Sequence, residues 1–418
     1  MSLKQNLRCL LHHKVPGQLI IQITDRCNAL CPQCGMRANN IFRRSVLEPD
    51  SIKRIIDTAA AEGFESVSFT GGEPFLLSDR LIELIDYASR AGIRYIRTGT
   101  NGYIFRDFNN PKTVHRAEYL IDRLAGTNLR NFWISIDSFI PDEHENIRGL
   151  KGVIQGIEKA LPKFHERGIY PSANLGITRR IAGDLTARLR PEEKSREEFR
   201  QDFFYVYRDA LRRFYGFVTD LGFTMASTCY PMSMETADPD DGLSAVYAAT
   251  SEEDIVSFNR EEKALLFQVL LEVIPEFRSR IRLFSPKCSV YAMSLDEQGS
   301  DYHCRGGKDF FFIDASSGQT FPCGYRGKES MGMFWEQKWQ KNGHQTKCTA
   351  CEWECFRDPS YLFGPLLEGF RAPARLLKRI REDQDFFRFW WDDIRYYFAC
   401  DFFNGRKAPN YQKLARCH

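Results

Sequence analysis

From residue 18 to about 280 the chain alternates between strand-like and helix-like stretches, and that alternation limits its fold more than any other feature. Apolar runs rich in β-branched and aromatic residues fall at 19–24, 66–70, 94–98, 131–137, 172–178 and 223–229. Helical patterns at 50–61, 80–91, 118–125 and 154–167 separate them. Parallel strands need a crossover between them, and a helix supplies it. The fold class is therefore α/β. Six repeats are too few to close an eight-stranded barrel, so the expectation is an open, partial (β/α)6 TIM-like barrel. In such sheets ligands bind at the carboxyl ends of the strands.

The chain departs from this repeat in three places. A charged helical insertion at about 180–221, with its clearest helix from 191, carries Phe203, Phe204, Tyr207, Leu211 and Phe214 on one face, a pattern typical of core. Beyond 283 cysteines become dense and the pattern turns hairpin-like, with arms at 309–314 and 319–322. The last segment, 359–418, begins with Arg371, Arg375, Lys378, Arg379 and Arg381. It then places Phe387, Trp391, Ile394 and Phe398 on one helical stripe, widened by Trp390 and Tyr397. The expected organisation is a short extension (1–17), a partial barrel (18–282), a small auxiliary domain (283–358) and a helical tail (359–418). The tail reads as a helix docked on the barrel, an interfacial membrane helix, or one wall of an apolar substrate cavity.

A net charge of +3 over 418 residues makes no electrostatic case for nucleic acid. No apolar run has the length of a signal-peptide core or a bilayer span, which points to a cytoplasmic protein. The 13 cysteines, an odd number without secretory features, point to metal or catalytic chemistry and not to disulfides. Cys9, Cys229, Cys288, Cys400 and Cys417 are scattered, and a buried free cysteine usually acts as a small hydrophobe.

Two groups stand apart. Cys27, Cys31 and Cys34 follow the first strand as Cys-x3-Cys-x2-Cys. Three thiolates in one loop can hold a [4Fe–4S] cube and leave its fourth iron open. A structural zinc ion would want a fourth ligand, and no other Cys or His lies near the loop. The second group comprises Cys304, Cys323, Cys348, Cys351 and Cys355.

The first loop resembles the signature of the radical S-adenosylmethionine (SAM) superfamily. Gly71-Gly72-Glu73 after the second strand resembles that family's GGE turn, whose glycine backbone and carboxylate would meet the SAM ammonium. Looser matches follow in order. Thr98-Gly-Thr-Asn101-Gly102 resembles the TNG turn, and Ser135-Ile-Asp137 the segment beside ribose and substrate. His144 to Gly149 resembles a segment whose arginine, here Arg148, would pair with the SAM carboxylate. Asn174 and Thr178, polar on the fifth run, are further candidate SAM contacts. One departure is Gln33, where the family usually has an aromatic residue before the third cysteine. Adenine would then be held partly from elsewhere, or by a hydrogen bond.

Cys304, Gly318 and Cys323 resemble the C-x(9–15)-G-x4-C element of SPASM and twitch auxiliary domains, which hold a further cluster. The resemblance implies one auxiliary [4Fe–4S] cluster on Cys304, Cys323, Cys348 and Cys351, with Cys355 an alternate ligand. A second auxiliary cluster would have to recruit Cys400 or Cys417, and four cysteines would equally suit zinc. As a whole the resemblance implies a metal-binding enzyme, an oxidoreductase or transferase, that cleaves SAM to a 5′-deoxyadenosyl radical. It implies a reducing partner such as flavodoxin or ferredoxin. It leaves the substrate open: a lipid or bulky apolar molecule, a peptide, or a small metabolite. The short stretch before the first strand lowers the peptide option, and the ending Ala415-Arg-Cys-His418 lowers the nucleotide one. The alternative is a non-enzymatic iron–sulfur or zinc protein, an electron carrier or scaffold, which would not need the GGE turn.

Overall fold

Alternation between two kinds of residue on each strand sets the architecture. The computed structural model describes residues 17–34, 44–190, 195–231, 254–295, 302–337, 348 and 351–417. Cys9, most of the expected N-terminal extension and residues 191–194 of the insertion lie outside them. In chain order the elements begin β1 (Gly17–Thr24), α1 (Pro49–Ala61), β2 (Phe64–Gly71), α2 (Ser78–Arg90), β3 (Tyr95–Thr100) and α3 (Pro111–Ala125). They continue with β4 (Leu129–Ser135), α4 (Pro141–Arg148), α5 (Val153–Glu166), β5 (Ser172–Gly176), α6 (Asp184–Ala187), α7 (Arg196–Asp220) and β6 (Met225–Cys229). After α8 (Arg260–Phe277) come β7 (Arg282–Leu283), α9 (Lys287–Ser294), β8 (Phe310–Ile313) and β9 (Thr320–Phe321). The tail is α10 (Glu354–Arg371), α11 (Pro373–Glu382), α12 (Gln384–Ala399) and α13 (Tyr411–Ala415).

Helix starts follow local chemistry. Proline opens α1, α3, α4 and α11, where its missing N–H costs nothing. Capping boxes start α7 (Ser195 with Glu198) and α8 (Asn259 with Glu262). The strands form one open sheet in the order β7-β6-β5-β4-β3-β2-β1-β8-β9. Every neighbouring pair is parallel except the hairpin β8–β9.

On one face Leu19, Val67, Ile96, Phe132, Ala173 and Ala226 join the main core with the crossover helices. Side chains of a strand alternate, so the other, concave face carries Gln22, Ser68, Arg97, Asn131, Asn174 and Ser227. The aromatic stripe of α7 is core as expected: Phe203, Tyr207, Leu211 and Phe214 are buried.

The structure changes two expectations about architecture. The hairpin after residue 283 does not stand apart, because β8 pairs in parallel with β1 from Gln18↔Phe310 to Ile21↔Ile313 and extends the barrel sheet. In the tail, the stripe facing inward on α12 is not the expected one. Phe386, Asp393 and Tyr396 are buried, while Trp391 (58% exposed) and Phe398 (64% exposed) point outward. An ion pair decides that rotation: Asp393 Oδ1 accepts from Arg278 Nη2 at 2.6 Å, both side chains being buried, and Asp393 Oδ2 accepts from the Cys288 amide at 2.8 Å.

Beyond α12 the chain runs beneath the barrel. The Gly405 amide donates to Arg130 O at 2.8 Å and its carbonyl accepts from Tyr170 N at 2.7 Å, at the amino ends of β4 and β5. Met225 packs there with Tyr396, Cys400, Phe403 and Leu414. The tail is thus the floor of the open barrel. No helix among the described residues is long and apolar enough to cross a membrane.

Candidate active site and cluster pockets

The three-cysteine loop leaves the carboxyl end of β1 and is clamped from both sides. Gly72 N donates to Thr24 O and Glu73 N to Arg26 O, each at 2.8 Å. A Cβ on Gly71 would lie 2.4 Å from Thr24 O, and one on Gly72 2.2 Å from Arg26 O. Only glycine lets the two backbones come this close. On the other side Leu30 N donates to Arg148 O at 2.8 Å, at the end of α4. Cys27 is exposed and Cys31 is buried. Burial pushes the Cys31 thiol up to about 12, against the nearby positive charge of Arg148. Such a thiol gives up its proton readily only to a bound metal. The Ala29 amide points at Cys27 Sγ at 3.5 Å. This donor set fits an iron–sulfur cluster.

Around the loop the motif residues are brought together, but several face each other. Glu73 is fully buried and accepts from Phe75 N at 3.1 Å, Thr100 Oγ1 at 3.0 Å and Asn101 N at 2.7 Å. It therefore pins the GGE turn to the TNG turn. Burial raises its carboxyl to about 7, against those three hydrogen bonds. Asn101 Nδ2 donates to Asn28 Oδ1 at 2.9 Å and lies 3.9 Å from Cys27 Sγ.

Arg148 is not free to await a carboxylate. It grips Asp137 bidentately, Nε to Oδ2 at 2.6 Å and Nη2 to Oδ1 at 2.9 Å. Gln33, the departure from the family pattern, donates to the same Asp137 Oδ2 at 3.0 Å. Burial alone would raise the Asp137 carboxyl, but Arg148 outweighs it and holds the acid below the usual range. His144 Nδ1 accepts from the Asp137 amide at 3.1 Å.

Ser135 ends β4 and is the Cα partner of Asn174. Asn174 lies on the concave face, where its Oδ1 accepts from Ser227 Oγ at 2.7 Å and from Cys229 Sγ at 3.5 Å. Thr178 lies beyond the end of β5, buried, its Oγ1 accepting from Arg180 N at 3.2 Å. It belongs to the following loop and not to the strand.

The auxiliary cysteines separate into four and one. Cys304, Cys323, Cys348 and Cys351 line a single pocket with Arg326, Trp353 and Arg357. Amides of Gly306 and Tyr325 point at Cys304 Sγ and Cys323 Sγ, each at 3.4 Å. Four thiols lining one pocket, amide donors to sulfur and two guanidinium groups suit a cluster of net negative charge. Cys355 is not in that lining. Its Sγ donates to Glu354 Oε1 at 3.4 Å. Burial, together with the charge of Glu354, raises the Cys229 thiol, placing Cys229 beside the same carboxylate. Among the described residues no group of three or more His, Cys, Asp or Glu converges as ligands of a single metal ion would.

An open parallel sheet with a clamped three-cysteine loop at its strand ends defines an α/β protein of the partial-barrel class. Residues 21–180 match the model of the Radical SAM superfamily. A GTP 3′,8-cyclase from Mannheimia succiniciproducens is 30% identical over 154 residues, 36% of this chain and 42% of that protein. An AdoMet-dependent heme synthase from Methanosarcina barkeri is 22% identical over 313 residues, 74% of this chain and 77% of that protein. The chain thus spans about two fifths of the length of the cyclases it matches. Streptococcus suis SuiB bound to S-adenosylmethionine shares the fold, with a TM-score of 0.52 at 16% identity over 88% of this chain and 71% of that one.

Sequence reasoning overlooked Arg97, Asn131 and Glu354. For Arg97 and Asn131 the available signal was a charged or polar residue inside a run that otherwise reads as a buried parallel strand; Glu354, at the start of a helix, gave none.

Proposed function

We propose that this chain is a radical SAM enzyme whose [4Fe–4S] cluster is held by Cys27, Cys31 and Cys34, and which removes a hydrogen atom from a substrate lying on the concave face of the sheet. The observation that carries this reading is the three-cysteine loop clamped against Gly71 and Gly72, inside the segment that matches the family model. Held there, a [4Fe–4S] cluster would pass one electron from an external reductant to the sulfonium of bound SAM, breaking its C5′–S bond to give methionine and a 5′-deoxyadenosyl radical.

The chain's own groups would do the rest. The glycine turn brings backbone close to SAM, and Asn101 orients Cys27. Asp137, fixed by Arg148 and Gln33, presents a carboxylate edge beside Cys31 and Cys34. The concave face and the floor beneath it exclude water from a radical that reacts with its nearest neighbour. Four cysteines in one pocket support an auxiliary [4Fe–4S] cluster on Cys304, Cys323, Cys348 and Cys351, with Cys355 left free. A flavodoxin or ferredoxin in the cytoplasm suits the electron supply. The buried side of α12, with Phe386, Asp393 and Tyr396, supports docking of the tail on the barrel.

Anaerobic reconstitution should give about eight irons per chain, and dithionite with SAM should give 5′-deoxyadenosine. Replacing Cys27, Cys31 and Cys34 together by alanine should abolish the nucleoside and leave about four irons. Nucleoside from the triple variant would sink the reading. Cys351→Ala should lose the auxiliary irons and Cys355→Ala should keep them; one zinc in their place would overturn the auxiliary cluster.

A further inference from the structure

Three deeply set arginines each meet a carboxylate at 2.6 Å: Arg148 with Asp137, Arg179 with Glu262 and Arg278 with Asp393. Arg97 does not. It lies mid-strand in β3 on the concave face, and its side chain makes no hydrogen bond or ion pair with any described residue. Its guanidinium lies 5.8 Å from the ring centroid of Trp133 and 5.5 Å from that of Phe284. Its Nε is buried and unpartnered, and its charge acts on the buried carboxyl of Glu354 with no hydrogen bond between them.

Two neutral neighbours share this condition. Asn131, the Cα partner of Arg97 across β3 and β4, is 3% exposed, yet neither its Oδ1 nor its Nδ2 has a partner. Ser172, the Cα partner of Trp133 across β4 and β5, is 1% exposed with an unpartnered Oγ. Buried polar groups in a folded chain are nearly always hydrogen-bonded. Three such groups on one face of the neighbouring strands β3, β4 and β5 are complementary to something the chain does not contain. An asparagine amide, a serine hydroxyl and a guanidinium together offer donors to several oxygens of one anion.

We propose that Arg97, with Asn131 and Ser172 beside it, is the subsite that receives an anionic group of the substrate, a carboxylate or a phosphate. The guanidinium fork matches either group bidentately. Contact with Trp133 and Phe284 fixes the plane of the fork and leaves its N–H edge to the ligand. This rests on the reading that the substrate lies on the concave face.

The test uses the full chain with both clusters reconstituted and SAM saturating. Inorganic phosphate and acetate are titrated separately at constant ionic strength, and Tm is followed. Wild type should gain about 2 °C at tenfold excess over Kd for one of the two anions, and the tighter arm identifies the group. Arg97→Lys should respond with Kd weakened about tenfold. Arg97→Gln should lose the response, with an anion-free Tm close to that of wild type, because no hydrogen bond or ion pair within the described chain is removed. A purely structural arginine would lower it. An unresponsive wild type, an undiminished response in Arg97→Gln, or an anion-free Tm several degrees lower in that variant would overturn the subsite. A chain that forms 5′-deoxyadenosine but ignores both anions loses only this subsite; one that binds an anion but cleaves no SAM loses only the cluster assignment.

Discussion

His144 sits behind the Asp137–Arg148 pair, fully buried, with its Nδ1 committed to the Asp137 amide and its Nε2 without a partner. Burial pushes its pKa down from 6.5 to about 3. Between those values the unfolded chain binds a proton that the folded chain refuses, so His144 adds stability above pH 6.5 that is lost as pH falls toward 3. Glu73 works with the opposite sign: its carboxyl is raised to about 7, so stability falls as pH rises from 4.5 to 7. The two are separated by His144→Gln, which keeps an acceptor for the Asp137 amide. The stability advantage of wild type over this variant should shrink by about 2–3 kcal/mol from pH 8 to pH 4 in urea titrations. A constant difference would show that His144 titrates normally. At this scale the spacing of Cys27, Cys31, Cys34, Gly71 and Gly72 was legible, because loop chemistry depends on short-range order. The mutual pairing of Asp137 with Arg148 was not, since a motif shows which polar groups are present and not which of them satisfy one another.

The six barrel strands were legible to within a few residues, because parallel strands buried on their outer face and amphipathic helices have different periods; α3 starts well before its expected 118, at Pro111. Helix α12 was not. Phe386 to Phe398 carries an aromatic residue at most positions, so hydrophobicity alone cannot choose its buried side. A single aspartate chooses it. Asp393→Ala would strand Arg278 in the interior and should cost about 3–5 kcal/mol, read as a fall in Tm or in the urea midpoint. Pairing Arg278→Met with Asp393→Leu should recover most of that loss, since replacing a buried pair by apolar residues of similar volume is often neutral. If the double variant is as unstable as the single one, the hydrogen bond from Cys288 N to Asp393 is the larger contribution.

For the molecule as a whole, the sheet runs past the expected auxiliary boundary, and the tail closes the barrel from below. Neither was visible in sequence, because both depend on contacts between segments far apart in the chain. Gly405 is a close approach: a Cβ there would lie 2.8 Å from Arg130 O and 3.2 Å from Tyr170 O. Gly405→Val should therefore lower stability by about 1–3 kcal/mol and expose the segment after α12 to limited proteolysis. An unchanged digestion pattern would mean that the floor tolerates displacement. The floor also has a consequence in time. Arg406 Nη2 donates to Ala125 O at 2.8 Å, across 281 positions of the chain. A growing polypeptide emerges at about 5–20 residues per second, so β4 waits roughly 14–56 seconds for the segment that covers its lower end. Throughout that interval the concave face is open from below. A nascent chain that met iron, SAM and reductant then would hold its radical in an unfinished vessel, so loading of the cluster should follow release from the ribosome.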